Sequence, residues 1–227
     1  MVKLSLILPV HNEADGIVKN LSAVIRVIDG IGTSTEIICV ENGSTDRTYQ
    51  LINQLSKKDP RIKLIRSECG WGNAVRAGIK KASGKLICYM VSDGQIDPAT
   101  ISSLYQKYLE NQDPEVQLWK IRRSNRENPT RLVNSRIYNF LTRIVFGIDS
   151  GDINATPKLI RADLLKSIPL TSPNIALDLE LMLYLKKHRL KWVELAVVSR
   201  QRENGRSTTK PKTVLEMIKW MVKLYFR

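Results

Sequence analysis

The chain predicts an α/β fold, a single domain built on a central, mostly parallel sheet with helices on both faces. Strand-like runs recur at residues 3–8, 36–40, 61–65 and 85–90, helical patterns fill the intervals, and the polar residues that carry chemistry collect just after the strands. With 227 residues, 43% of them hydrophobic, one domain can bury a substantial core.

The elements follow in order. After the first strand, Ile17, Leu21, Val24, Ile25 and Ile28 form a helical stripe. After the second, Ser44 is placed to cap a helix carrying Leu51, Ile52 and Leu55. Cys69-Gly70-Trp71-Gly72-Asn73-Ala74 reads as a glycine-rich entry to a helix over 75–82, where free amides meet an anion. The fourth strand breaks into Val91-Ser92-Asp93-Gly94-Gln95, an acid and an amide at the mouth of a buried run. Oxygen ligands there suit a hard cation that bridges phosphates, and ordinary Asp-Gly turn chemistry is the alternative.

The second half is less regular. A strand is expected at 116–121, then a helix with Leu132, Val133, Ile137, Phe140, Leu141, Ile144 and Val145 on one face. Glycines at 147 and 151 end that helix, and Asp152-Ile153-Asn154 opens an extended segment. Asp178-Leu179-Glu180 begins a helix through His188, followed by a last strand over 191–199 and a polar loop over 200–212. The end, 213–227, is an amphipathic helix with Val214, Ile218, Met221, Val222 and Tyr225 on one face. The expected division is a domain over 1–212, in two halves that meet near 115, with the final helix appended.

Charge narrows the partner. The formal net charge is +14, with seven Lys/Arg against one Glu between Gln117 and Arg143, and eight against two acids between Arg200 and Arg227. Such clustering implies an anionic partner, and no helix-turn-helix, zinc finger or aromatic RNA-binding signature points to nucleic acid. No apolar run approaches the ~18–20 residues of a spanning helix. The three cysteines, Cys39, Cys69 and Cys88, lack metal-ligand spacing and read as reduced thiols of a cytosolic protein, with Cys69 in a loop.

In this order, Leu6-Ile7-Leu8-Pro9-Val10-His11-Asn12-Glu13, Val40-Glu41-Asn42-Gly43-Ser44-Thr45-Asp46, Gly70-Trp71-Gly72-Asn73-Ala74 and Ser92-Asp93-Gly94-Gln95-Ile96-Asp97-Pro98 resemble the family-2 inverting glycosyltransferases of the GT-A fold. Within these they are similar to the dolichyl-phosphate mannose synthase-like and polyprenyl-phosphate sugar transferase branch. The resemblance implies that Pro9, His11, Glu13, Glu41, Asn42 and Gly72 bind a GDP- or UDP-linked sugar together with Asp93. It implies that Asp93 and Gln95 hold Mg²⁺ or Mn²⁺ on the diphosphate; Val91 stands where the usual Asp-x-Asp motif has its first acid. Arg122, Arg131, Ser135, Arg202 and Ser207 fall in the lipid-phosphate region, and Arg123 adjoins them.

Asp178 falls where relatives that glycosylate a hydroxyl keep a catalytic base, and an acid pair stabilising a helix start is the other reading. A polyprenyl phosphate needs no strong base, because its oxyanion is already formed near neutral pH. The expected activity is therefore metal-assisted, inverting transfer of a sugar to polyprenyl phosphate. The site is expected at the cytoplasmic face of a membrane, with basic amphipathic helices on the anionic lipid surface and no spanning helix. The alternatives are transfer to a carbohydrate hydroxyl, and a weakened nucleotide-sugar-binding subunit of a membrane synthase complex. The final helix also suits a homodimer partner or its own domain.

Overall fold

The computed structural model describes residues 2–125, 129–199 and 219–226. Four parallel strands form its first half: β1 (Leu4–Val10), β2 (Thr35–Glu41), β3 (Ile62–Arg66) and β4 (Leu86–Tyr89). They alternate with α1 (Ile17–Ile31), α2 (Thr48–Lys58) and α3 (Trp71–Lys81), and α4 (Ala99–Glu110) leads to β5 (Val116–Asn125). Then come α5 (Pro129–Phe146), β6 (Lys158–Arg161), α6 (Ala162–Ser167), α7 (Ala176–Lys187) and β7 (Lys191–Val198). The strands make one seven-stranded sheet in the order β3-β2-β1-β4-β6-β5-β7. β6 alone runs antiparallel, to both β4 and β5.

The central strands are buried on both faces, which is why β1 and β2 read as continuous apolar runs rather than alternating ones. Side chains alternate across the sheet, so Ile7, Ile38 and Tyr89 join the core under α3 and α7, while Leu6, Ile37 and Cys88 join the core under α1 and α4. The expected stripe of α1 is the one buried: Ile17, Leu21, Val24 and Ile28. Cys39 and Cys88 are buried thiols and Cys69 is exposed, all three free.

Two local expectations are corrected. Ser44 does not cap α2, which begins at Thr48; its hydroxyl accepts the Asn12 amide at 3.0 Å, and Asp46 instead accepts the Thr48 amide at 2.9 Å. The segment after Asp152 becomes a strand only at Lys158, because Thr156 and Pro157 intervene, and the short α6 behind it carries no long stripe to announce it. The apolar stripe of α5 is largely uncovered: Val133, Ile137, Phe140 and Ile144 are exposed, while Tyr138 and Thr142 turn inward.

At the end of the sheet remote from the functional edge, Glu36 is buried. Burial favours its neutral form, but hydrogen bonds from Lys63, Ser5 (2.5 Å) and Ser83 (2.6 Å to its amide) outweigh that and hold its pKa down to about 2. A carboxylate whose pKa falls on folding stabilises above the unfolded value and loses that contribution as pH falls toward the folded value. Glu36→Gln is therefore expected to melt below the parent at neutral pH and to converge on it as the pH falls from about 4.5 to about 2. Melting curves across that range check this; a constant offset contradicts it.

Candidate active site

All parallel strands of the first half end on one edge, and their loops build the candidate donor site there. Strand β1 pairs with β4 only through Ile7, and Pro9, which has no N–H to give, lies beyond that pairing. The Pro9 carbonyl accepts the Ser92 hydroxyl at 3.0 Å, tying the β4 loop to β1.

The loops after β1 and β2 interlock. Asn12, in the left-handed region at φ 53°, receives the Thr45 amide on its side chain at 2.8 Å, and the Glu13 amide donates to Thr48 Oγ1 at 2.9 Å. His11 Nδ1 lies 3.1 Å from the Asn42 carbonyl oxygen, which fixes the ring over the end of β2. Glu41 is buried, accepts the Ser44 amide, and has Arg66 Nε at 3.6 Å; that guanidinium lies 4.0 Å over the Tyr49 ring. Asn42 is also buried, and its side-chain oxygen has no hydrogen-bond partner. The structure thus brings Pro9, His11, Glu13, Glu41 and Asn42 to one edge, with an open acceptor at Asn42.

Asp93 is half-buried in the loop after β4, and its Oδ1 accepts the Gln95 amide at 3.1 Å across Gly94, whose φ is 73°. A side chain at Gly94 would meet Asn20, whose amide donates to the Ser92 carbonyl at 2.9 Å and pins the loop to α1. Asp93 borders a cavity of about 230 Å³ that also touches Glu13, Lys19 and Asn20. Among the described residues no three His, Cys, Asp or Glu side chains converge as a metal cage. One carboxylate beside a diphosphate still fits Mg²⁺ or Mn²⁺, hard cations that take phosphate oxygens and water for the remaining positions.

Gly72 is placed differently from the expectation. The entry to α3 is covered: Gly70 and Gly72 lie against the carbonyls of Pro173 and Ser172, and the Asn73 amide donates to Pro173 O at 3.1 Å. A Cβ at Gly72 would collide with that backbone, so this glycine serves close packing and the amide at Asn73 is already engaged. The covering loop is held in turn by Glu180, which accepts the amides of Thr171 and Ser172, each at 2.9 Å.

Asp178 does not reach the surface. It is 1% exposed, and its Oδ1 accepts both Lys158 Nζ at 2.5 Å and the Tyr89 hydroxyl at 2.8 Å. Lys158 is fully buried, and burial pulls its pKa down against the attraction of Asp178. Burial, reinforced by the Asp178 charge, holds the Tyr89 hydroxyl well above its ordinary pKa. The acids of α7 are therefore internal ties rather than groups presented to a hydroxyl acceptor.

Around the turn 150–152, Arg123 grips Asp152 through two hydrogen bonds of 2.7 and 2.9 Å, and the stem of exposed Arg122 lies against Gly151. Ser135 on α5 is linked to the same turn through Asn139, which reaches Ser135 Oγ at 3.5 Å and the Gly151 carbonyl at 3.1 Å. Arg131 lies on α5, but its side chain is outside the described residues, as are Arg202 and Ser207. The buried cations Lys120 and Lys158 escaped the sequence reading. Their signal was present: each interrupts an apolar strand at a core-facing position, two residues from Leu118 and Ile160.

No described helix is long and apolar enough to cross a membrane. Of the final amphipathic segment, 219–225 is helical; Met221 and Leu224 pack into the core, and Tyr225 meets Phe146 at 6.2 Å between ring centroids. Val222, Tyr225 and Phe226 remain exposed beside the end of α5.

The comparisons agree with this architecture. The chain is 26% identical over 239 residues to a dolichol-phosphate mannosyltransferase of Pyrococcus furiosus, covering 98% of this chain and 64% of that one. It is 28% identical over 177 residues to a dodecaprenyl-phosphate galacturonate synthase of Rhizobium johnstonii, covering 74% and 51%. The chain thus spans only about half to two thirds of these relatives. In structure it is similar to a glucosyl-3-phosphoglycerate synthase of Mycobacterium tuberculosis solved with Mn²⁺, UDP-glucose and phosphoglyceric acid, with a TM-score of 0.77, 18% identity and coverage of 99% and 80%. A mannosyl-3-phosphoglycerate synthase of Rubrobacter xylanophilus gives a TM-score of 0.75 at 17% identity, covering 98% and 72%. These neighbours share the GT-A fold. Residues 5–168, well over half of the chain, match the family described as Glycosyl transferase family 2, and the chain belongs to that family.

Proposed function

We propose that this glycosyltransferase moves a sugar from a nucleotide-sugar, with inversion, to a polyprenyl phosphate at the cytoplasmic face of a membrane. The observation that carries the acceptor is the engagement of Asp178 by Lys158 and Tyr89 while Arg122 and Arg123 gather around Gly151 and Asp152. An acceptor that arrives ionised needs guanidinium forks, which suit phosphate geometry, more than it needs a base. The relatives' names point to the same acceptor class.

Asp93, with Gln95, would hold Mg²⁺ or Mn²⁺ on the donor diphosphate, where the cation neutralises charge on the departing nucleoside diphosphate. Glu41, Asn42 and His11 orient the base and ribose, and the bonds from Ser92 to Pro9 and from Asn20 to Ser92 hold the Asp93 loop against β1 and α1. In-line attack by the lipid phosphate oxygen on the anomeric carbon forms the new C–O bond as the bond to the nucleoside diphosphate breaks, which inverts the centre. The uncovered face of α5 and the exposed Phe226, flanked by Arg136, Arg143 and Lys223, suit the boundary of an anionic leaflet.

Incubating the purified chain with radiolabelled nucleotide-sugars, polyprenyl phosphate and Mg²⁺ or Mn²⁺ tests the reading. Label entering the organic phase supports it. Turnover only onto phosphoglycerate or a carbohydrate overturns the acceptor. Nucleotide-sugar binding without turnover on any acceptor favours the subunit reading, which Val91 and Asn42 motivate.

A further inference from the structure

The acceptor side rests on a row of residues crossing the sheet. Cross-strand register places Tyr89, Lys158, Lys120 and Glu194 side by side on β4, β6, β5 and β7. Lys120 is fully buried, and its ammonium donates to Asp152 O at 2.7 Å, Glu194 Oε1 at 3.1 Å, Ile121 O at 3.2 Å and Ser150 Oγ at 3.3 Å. Glu194 completes the grip: its Oε1 accepts the Ser150 hydroxyl at 2.6 Å and its Oε2 the Gly151 amide at 3.1 Å.

Lys120 and Glu194 therefore hold the turn 150–152 from beneath, while Asn139 holds it from α5 by accepting the Ile153 amide at 3.2 Å. That turn presents Asp152 to Arg123 and underlies Arg122. A buried ammonium with four oxygen partners is a costly way to secure a turn, and it fixes that turn in one place.

We propose that Lys120 and Glu194 are a positioning pair that sets the acceptor-phosphate site through the turn 150–152, acting on Arg122 and Arg123 without touching substrate. The inference rests on the phosphate-acceptor reading. The charged groups facing Lys120 are Glu194 on β7, Lys158 on β6, and Asp152 with its partner Arg123. Burial pulls the Lys120 pKa down to about 8, with Lys158 assisting and Glu194 and Asp152 opposing. Alkaline pH thus removes the clamp's charge while the arginines stay charged.

Steady-state kinetics with polyprenyl phosphate, varying acceptor and donor separately, test the pair. Lys120→Met and Glu194→Gln are expected to lower kcat/KM for the acceptor about 10- to 100-fold with donor KM within about twofold. The wild-type acceptor kcat/KM should fall above about pH 8, the limb should move to lower pH in Glu194→Gln, and it should vanish in Lys120→Met. Ser150→Ala, a milder cut in the same grip, should give a smaller loss if the other variants fold poorly.

Equal losses for donor and acceptor, or an alkaline limb unmoved by Glu194→Gln, overturn the proposal. A readout independent of turnover separates its failure from that of the acceptor reading. Glu194→Gln should shift the ¹⁵Nε–H resonance of Arg123 as the grip on Asp152 loosens, and an unchanged resonance counts against the pair whatever the acceptor.

Discussion

Asp93→Asn is expected to lower kcat roughly 10²–10³-fold, the loss seen when one charge-stabilising group leaves a preorganised site. The reason lies in how few groups share its task. The Val91 side chain has no oxygen for a cation, Gln95 offers a neutral amide, and no acidic cluster stands nearby among the described residues to take over. The fold should be spared, because Asp93 is half-buried and the loop keeps its ties from Ser92 to Pro9 and from Asn20 to Ser92. Metal titrations of both forms at saturating donor check the assignment. Full activity in Asp93→Asn at unchanged metal requirement would place the cation elsewhere.

Asp178→Ala is expected to cost about 3–5 kcal/mol of stability, because it strands a fully buried Lys158 ammonium without its counter-charge. The Tyr89 hydroxyl loses its acceptor in the same step. Pairing the change with Lys158→Met should recover most of the loss, since removing both charges removes the uncompensated one. Chemical denaturation of the single and double variants measures this. A surface base would behave otherwise: kcat would collapse, stability would hold, and Lys158→Met would rescue nothing.

The contrast between these residues shows what the chain made legible. The first half was readable because each signal there is local. Strand runs, the α1 stripe and the polar residues after each strand all lie within a few positions of one another, and the parallel topology brings them to one edge. Asp178 was not, because an acid in the first turn of a helix looks the same whether it faces solvent or a lysine twenty residues upstream.

Gly72 misled for a related reason. Glycines at a helix start serve an approaching anion and an approaching backbone equally well, and the backbone that approaches comes from Ser172 and Pro173, a hundred positions away. The face of α5 is a different case, since its sequence reads as facing a lipid surface. An apolar stripe signals burial against something, and here much of it lies uncovered by the described chain.

The interlocked loops after β1 and β2 bear on how the site assembles. Their ties join positions 31 to 35 residues apart, Asn12 to Thr45 and Glu13 to Thr48 among them. The Asp93 loop and the 150–152 turn are closed by pairs much farther apart, 72 residues for Asn20 and Ser92, 83 for Pro9 and Ser92, and 74 for Lys120 and Glu194. Closing a longer loop costs more chain entropy before any contact compensates, so the loops after β1 and β2 are set to form before either of those is secured. One corner of the candidate site thus assembles within the first two βα units, ahead of the loop that carries Asp93.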